Sequence, residues 1–179
     1  GALAGSESAY EAAFEKTGIL RANNTEEMFD WARALAWCPL PEGRGVAILT
    51  NAGGPGVIAA DAVEAEGLRL AELAPATTAA LARLLPPAAS TRNPVDMIAS
   101  GGPKEYAACL HLLLEDPNVE AVLVLSVPPP MFPAEQVAEA LIPLIRASRK
   151  PVLAAFTGGE FTHAALQRFR QEHVAAYSF

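Results

Sequence analysis

The sequence predicts an α/β fold, a doubly wound parallel sheet with helices on its faces, and three observations carry that reading. From residue 46 onward, short apolar runs alternate with helix-patterned segments, the order in which βαβ units build a parallel sheet. The run Ala121-Val122-Leu123-Val124-Leu125 is continuous and apolar, as a strand must be when it is covered on both faces. A glycine-rich segment, Thr50-Asn51-Ala52-Gly53-Gly54-Pro55-Gly56, joins the first apolar run to the helical pattern after it.

The elements follow in order. Residues 6–16 are alanine-rich and helical, with Tyr10 and Phe14 one turn apart on one face, and Gly18 ends the pattern. A second helix opens at Asn24, where Asn24 and Glu27 have capping-box spacing, and runs through Met28, Phe29, Trp31 and Leu35. Pro39 and Pro41 break it, and Glu42-Gly43-Arg44 reads as a linker. The chain therefore divides into a helical segment, 1–41, and a regular unit, 42–179. That unit begins with a strand at 46–49 and a helix at 57–66, whose apolar side carries Ile58, Ala59, Ala62 and Val63. A strand at 68–73 and a helix at 77–85 come next. A helix led by Pro103 turns Tyr106, Leu110 and Leu113 inward, and the strand 121–125 follows. The helix after Pro133 contains Pro143, which is expected to kink or shorten it. A strand at 151–156 and a helix at 161–170 close the pattern. Ligands of such a sheet bind beyond the carboxyl ends of its strands.

Composition narrows the function classes. With 179 residues, 51% of them hydrophobic, the chain can bury a core without a metal or a disulfide. No apolar run reaches the 18 residues of a membrane helix, and no signal peptide is present. A net charge of -7 and the lack of any basic run argue against nucleic acid as a partner. Cys38 and Cys109 lie far apart without metal-ligand spacing and read as reduced thiols of a cytoplasmic protein. The sequence offers no metal-ligand cluster, no carboxylate pair and no motif around a nucleophile, so neither a metal site nor a catalytic residue is expected within it. The chain begins at Gly1 without a methionine, and we read it as a piece of a longer protein.

The glycine segment is where chemistry is expected. Glycines let the backbone turn sharply and let a ligand approach without meeting a Cβ atom. Proline suits a helix start, where its missing N–H is not needed. The free amides of that start, backed by about half a positive charge from the helix dipole, can hold a phosphate even in an acidic protein. Two other readings stay open. The glycines can serve only a tight strand-to-helix turn. Alternatively, Gly54-Pro55-Gly56-Val57-Ile58-Ala59 matches the G-x-G-x-x-A of a Rossmann-type dinucleotide-binding domain, with Glu72 at a distance suited to a ribose contact. Thr50, Asn51, Ala52 and Gly53 intervene between strand and motif, which argues against the dinucleotide register.

Four motifs in order, Gly1-Ala2-Leu3-Ala4-Gly5-Ser6, then Tyr10-Glu11-Ala12-Ala13-Phe14 with Gly18-Ile19, then the glycine segment, then Asn93-Pro94-Val95-Asp96, resemble the ADP-forming acetyl-CoA synthetases. These are NDP-forming acyl-CoA synthetases of the succinyl-CoA synthetase superfamily, and the resemblance covers nearly the whole chain. It implies a flavodoxin-like ligase domain at 42–179, preceded by the helical tail of a phosphohistidine-bearing domain. It also implies a modular enzyme that uses CoA and ATP/ADP with Mg, bound mainly by a CoA-binding domain and an ATP-grasp domain or subunit. In such enzymes the helix after the glycine segment pairs with a similar helix of the histidine-bearing domain, and the two N-termini grip the phosphohistidine. By that resemblance Asn51, Gly53, Gly54 and Gly56 are half of a phosphate site. The family's histidine lies ahead of the residues matched by Gly1-Ala2-Leu3, so this chain alone is expected to be inactive. A non-catalytic domain that only joins subunits is an alternative. A receiver-like signalling module would need an aspartate where Asn51 stands.

The remaining candidates are weaker. His111 falls on the polar side of its helix, His163 near a helix start, and His173 near a helix end. Thr157-Gly158-Gly159 either lines the ligand edge or makes a simple turn. Ser126-Val127-Pro128-Pro129-Pro130 follows the strongest strand, and its prolines suggest a rigid wall. Asn93-Pro94-Val95-Asp96 is expected to build a turn, with Asp96 available to a backbone amide.

Overall fold

The computed structural model describes residues 6–178. The opening residues 1–5 of the first motif, and residue 179, lie outside the described residues.

The chain falls into two compact units that divide between Arg33 and Ala34, inside a helix and ahead of the expected 41/42 boundary. The first unit holds helix α1 (Glu7–Thr17) and most of α2 (Thr25–Trp37). Gly18 ends α1 in the left-handed conformation, its N–H returning to the Phe14 carbonyl, a cap that costs glycine no Cβ clash. Asn24 Oδ1 accepts from the Glu27 amide at 2.8 Å, and the Glu27 carboxylate accepts from the Asn23 amide at 2.6 Å. The cap thus closes one residue earlier than a standard capping box. No residue of either helix is buried.

The second unit alternates strand and helix throughout. Its elements are β1 (Gly45–Thr50), α3 (Gly53–Ala65), β2 (Arg69–Leu70), α4 (Pro75–Leu84), β3 (Val95–Asp96), α5 (Pro103–Glu115) and β4 (Ala121–Ser126). Then come α6 (Ala134–Ala147), β5 (Val152–Phe156), a 3-10 turn (Gly159–Thr162), α7 (His163–Gln171) and β6 (Ala176–Ser178). The strand pairs are all parallel, in the order β2-β1-β4-β5-β6. With β3 set aside, this is the flavodoxin-like 2-1-3-4-5 order. β3 pairs the end of β1, Leu49 with Val95 and Thr50 with Asp96, while β2 pairs its beginning.

Helices are shared unequally between the two faces. Alternate residues of β1 and β4, Ala47, Leu49, Val122 and Val124, pack into one large core with Leu81 of α4, Tyr106 and Leu110 of α5, Val137 and Leu141 of α6, and Phe169 of α7. The other residues, Val46, Ile48 and Leu125, pack with Val63 of α3 in a second, smaller cluster. Helix α3 is thus the element that carries the glycine segment onto its own face of the sheet.

Several expectations change. Two strands, β3 and β6, appear where none was expected, and β2 pairs over two residues instead of six. The reason for the short β2 is Asn93. Its side-chain oxygen accepts from the Ile48 amide at 2.9 Å, and its NH2 donates to the carbonyls of Val46 and Ala71 at 2.7 and 3.0 Å. One side-chain amide therefore occupies the edge of β1 between β2 and β3 in place of a strand. Helix α3 starts at Gly53, four residues before expectation, so the glycines lie within its first turn. Pro143 does not shorten α6, which continues to Ala147.

Candidate functional site

Strand β1 leads back to β2 on one side, and the chain crosses to β4 on the other. The gap between the carboxyl ends of β1 and β4 is the switch point where open α/β sheets take ligands. The last paired residues there are Leu49 and Val124. Beyond them two side chains bridge the gap. Asn51 donates to the Val127 carbonyl at 2.8 Å and accepts from the Val127 amide at 2.9 Å. Tyr106, fully buried on α5, donates to the Leu125 carbonyl at 2.7 Å, with its oxygen also in reach of the Ser126 side chain and the Asn51 backbone. Burial pushes the Tyr106 phenol well above the usual tyrosine range, with smaller opposing help from the Ser126 hydrogen bond. Nearby on α5, burial pushes the Cys109 thiol up to about 12. Both groups stay neutral at ordinary pH.

The turn itself is built from Thr50 outward. The Thr50 hydroxyl accepts from the Ala52 amide and donates to the Ala52 carbonyl, both at 3.0 Å. The Ala52 carbonyl also accepts the Gly56 amide at 3.3 Å, which starts the helical ladder. Gly56 is buried, and a Cβ on it would stand 3.1 Å from Thr50 Cγ2. Glycine is needed there for close packing. Gly53 and Gly54 are exposed, and their amides lie in the first turn, where no intrahelical carbonyl reaches them. Pro55 has no N–H to add. A Cβ on Gly54 would meet nothing within 4 Å, whereas one on Gly53 would stand 3.2 Å from Asp96 Oδ2. The turn thus leaves two first-turn amides without an intrahelical partner, Gly54 in open space and Gly53 beside the Asp96 carboxylate.

The four sequence-derived residues therefore come together, but in different surroundings. Gly53 and Gly54 face outward, Gly56 packs beneath them, and the Asn51 amide is engaged by Val127. Asp96 at the end of β3 was not among the site residues, yet its carboxylate reaches the start of α3. Its Oδ1 accepts from the Ile98 amide at 2.8 Å, and Ile98 holds a left-handed φ of 57°. Thr157-Gly158-Gly159 does line this edge. The Thr157 amide bonds the Ser126 carbonyl at 2.9 Å, and a Cβ on Gly158 would stand 3.3 Å from Pro128 Cδ. His111 and His163 are exposed. His173 lies just past α7 with its ring 5.3 Å from that of Trp37. Among the described residues, no group of three or more histidine, cysteine or acidic side chains could hold a metal ion. None of their helices is long and apolar enough to cross a membrane.

Residues 46–179, from the second residue of β1 onward, match the Ligase-CoA domain. The chain belongs to the Ligase-CoA domain family. Over 99% of its length it is 44% identical to the alpha subunit of acetate–CoA ligase (ADP-forming) II from Pyrococcus furiosus. The alpha subunit of acetate–CoA ligase (ADP-forming) I from the same organism is 37% identical over 99% of the chain. Among solved structures, the dinucleotide-forming acetyl-coenzyme A synthetase 1 of Ca. Korarchaeum cryptofilum, in complex with phosphate and ADP, has a TM-score of 0.91 at 32% identity, covering 98% of this chain. The Ligase-CoA chain spans only part of these relatives, 39% and 38% of the two subunits and 38% of the solved chain.

Proposed function

We propose that this Ligase-CoA domain works inside an ADP-forming acyl-CoA synthetase, which converts acid, CoA and ATP reversibly to acyl-CoA, ADP and phosphate. Its task there is to hold the phosphoryl group of a phosphohistidine that another domain presents. The observation that carries the reading is the pair of first-turn amides at Gly53 and Gly54, the latter in open space, at the switch point of the sheet. Oxygens of a phosphoryl group accept from such amides, and the dipole of α3 favours their charge. Asn51, clamped to Val127, aims the turn instead of touching the ligand, and Gly56 lets α3 pack close to β1.

The surroundings of the turn support a partner domain. Val57 and Ile58, one turn into α3, are 60% and 69% exposed, a suitable face for a second helix. Tyr10, Leu20, Met28 and Phe29 are also exposed in a unit whose helices bury no residue. Apolar surface of that kind marks an interaction site, in keeping with residues 1–41 being the tail of the histidine-bearing domain. We assign CoA and ATP/ADP with Mg to the CoA-binding and ATP-grasp domains, and place the enzyme in the cytoplasm. The dinucleotide reading fits less well, because Gly54 and Gly56 stand inside the helix and not in the turn before it.

The test uses the enzyme extended through the expected histidine, assayed for ADP formation from ATP with CoA and a series of short acids. Turnover with at least one acid, together with a phosphorylated histidine, is the expected result. An enzyme inactive on every acid contradicts the proposal. An active enzyme indifferent to Gly54→Val would leave this domain only the role of joining subunits.

A further inference from the structure

Strands β1 and β4 separate early. Their pairing stops at Leu49 and Val124, although β4 goes on pairing with β5 as far as Ser126 and Phe156. The groups of the next rung still face each other. The Thr50 carbonyl accepts from the Met97 amide on the β3 side of β1, so the backbone of Asn51 faces β4 by the alternation of a strand. The Ser126 carbonyl accepts from the Thr157 amide on the β5 side of β4, so the Leu125 carbonyl faces β1. In a continued ladder the Asn51 amide would donate to that carbonyl. The Tyr106 hydroxyl stands there instead, donating to the Leu125 carbonyl at 2.7 Å and in reach of the Asn51 backbone and the Ser126 side chain. All four residues are buried, so bulk water does not compete for these bonds.

A phenylalanine would fill the same part of the core, and a buried hydroxyl costs free energy unless it is bonded. The hydroxyl therefore serves the gap between the strands and not the packing of α5. We infer that Tyr106 is a positioning residue, whose hydroxyl replaces one rung between β1 and β4, wedges their carboxyl ends apart and so sets where the glycine turn stands. This rests on the reading that the turn holds a phosphoryl group, and adds a residue that places the turn without touching the ligand. The turn is then held at two points. The Asn51 side chain fixes its register along β4 through both backbone groups of Val127, and Tyr106 fixes its distance from β4. Group transfer is sensitive to such placement, a shift of about 1 Å costing up to about 100-fold in rate.

Tyr106→Phe keeps the ring and removes the wedge, leaving the Asn51 amide and the Leu125 carbonyl free to close on each other. In the chain itself, the NMR resonances of the Gly53 and Gly54 amides are expected to move in this variant. In the extended enzyme, turnover at saturating acid, CoA and ATP is expected to fall roughly tenfold. Each KM should change by less than about twofold, the mark of lost positioning and not of lost binding. Leu110→Ala is the control for stability, because Leu110 is buried on the same helix and packs only in the core. It should melt earlier but keep the native kcat when assayed folded. The inference is overturned if folded Tyr106→Phe keeps the native kcat, if its Gly53 and Gly54 resonances stay in place, or if Leu110→Ala loses as much turnover. The underlying reading fails separately, when Gly54→Val leaves phosphohistidine undiminished whatever the resonances of Tyr106→Phe show.

Discussion

Gly54 and Gly56 are two residues apart and answer to opposite constraints. A methyl group on Gly56 meets Thr50 Cγ2 at 3.1 Å, whereas one on Gly54 meets nothing. Gly56→Ala is therefore expected to cost about 1–3 kcal/mol through overpacking. Gly54→Ala should be neutral or stabilising by up to about 1 kcal/mol, because alanine lowers the entropy of the unfolded chain. Urea midpoints of the two variants check the contrast. Cys109 carries a second residue-level prediction. Its folded pKa lies near 12, raised by burial from an ordinary value of 9.0. Below pH 9 the thiol is neutral in both states and its contribution is fully present. As pH rises from 9 towards 12 the unfolded chain ionises first, so stability falls by up to about 1.4 kcal/mol per pH unit. Cys38, also raised by burial, acts in the same direction, and Tyr106 adds to the loss above pH 10. Cys109→Ala should show a shallower decline between pH 9 and 10.5 in denaturant titrations at stepped pH.

At the level of elements, legibility followed the length of the local signal. Strand β4 was plain because five consecutive apolar residues admit few other readings. Strands β3 and β6 were hidden because two or three residues make no period, and Asp96 and Ser178 look like loop residues. What creates β3 is remote: Asn93 reaches 45 residues back to the Ile48 amide. The same holds for the site. The glycine segment announced a ligand-accommodating turn, but which glycine packs and which stands open depends on Thr50 and Pro94 across the turn. Neither the bridge of Tyr106 to Leu125 nor the approach of Asp96 to Gly53 leaves any mark on local sequence. Helix α3 was placed too late because its first turn holds three glycines and a proline, a composition that reads as loop. Asn93→Ala tests the element-level account. It removes three hydrogen bonds and strands the Ile48 amide in the core, so it should destabilise the sheet by about 2–4 kcal/mol. Equilibrium unfolding measures this, and hydrogen exchange should report faster opening at β1.

At the scale of the molecule, cohesion is concentrated in one unit. The large core joins the sheet to α4, α5, α6 and α7, while α1 and α2 bury no residue. A chain shortened to residues 34–179 is accordingly expected to fold with a melting temperature within a few degrees of the whole, as circular dichroism would show. Helix α3 stands apart on its own face, with its amino end open and its apolar residues Val57 and Ile58 uncovered. In the proposed enzyme this is the face that meets the phosphohistidine. The measurement that tests that claim most directly is the amount of phosphohistidine in the extended enzyme with and without Gly54→Val, both proteins shown by melting to be folded. Valine, placed in the open space at Gly54, is expected to reduce phosphohistidine at least about tenfold, in line with the loss of preorganised backbone donors. Undiminished phosphohistidine in a folded variant would contradict it and leave the glycine turn with a structural role alone.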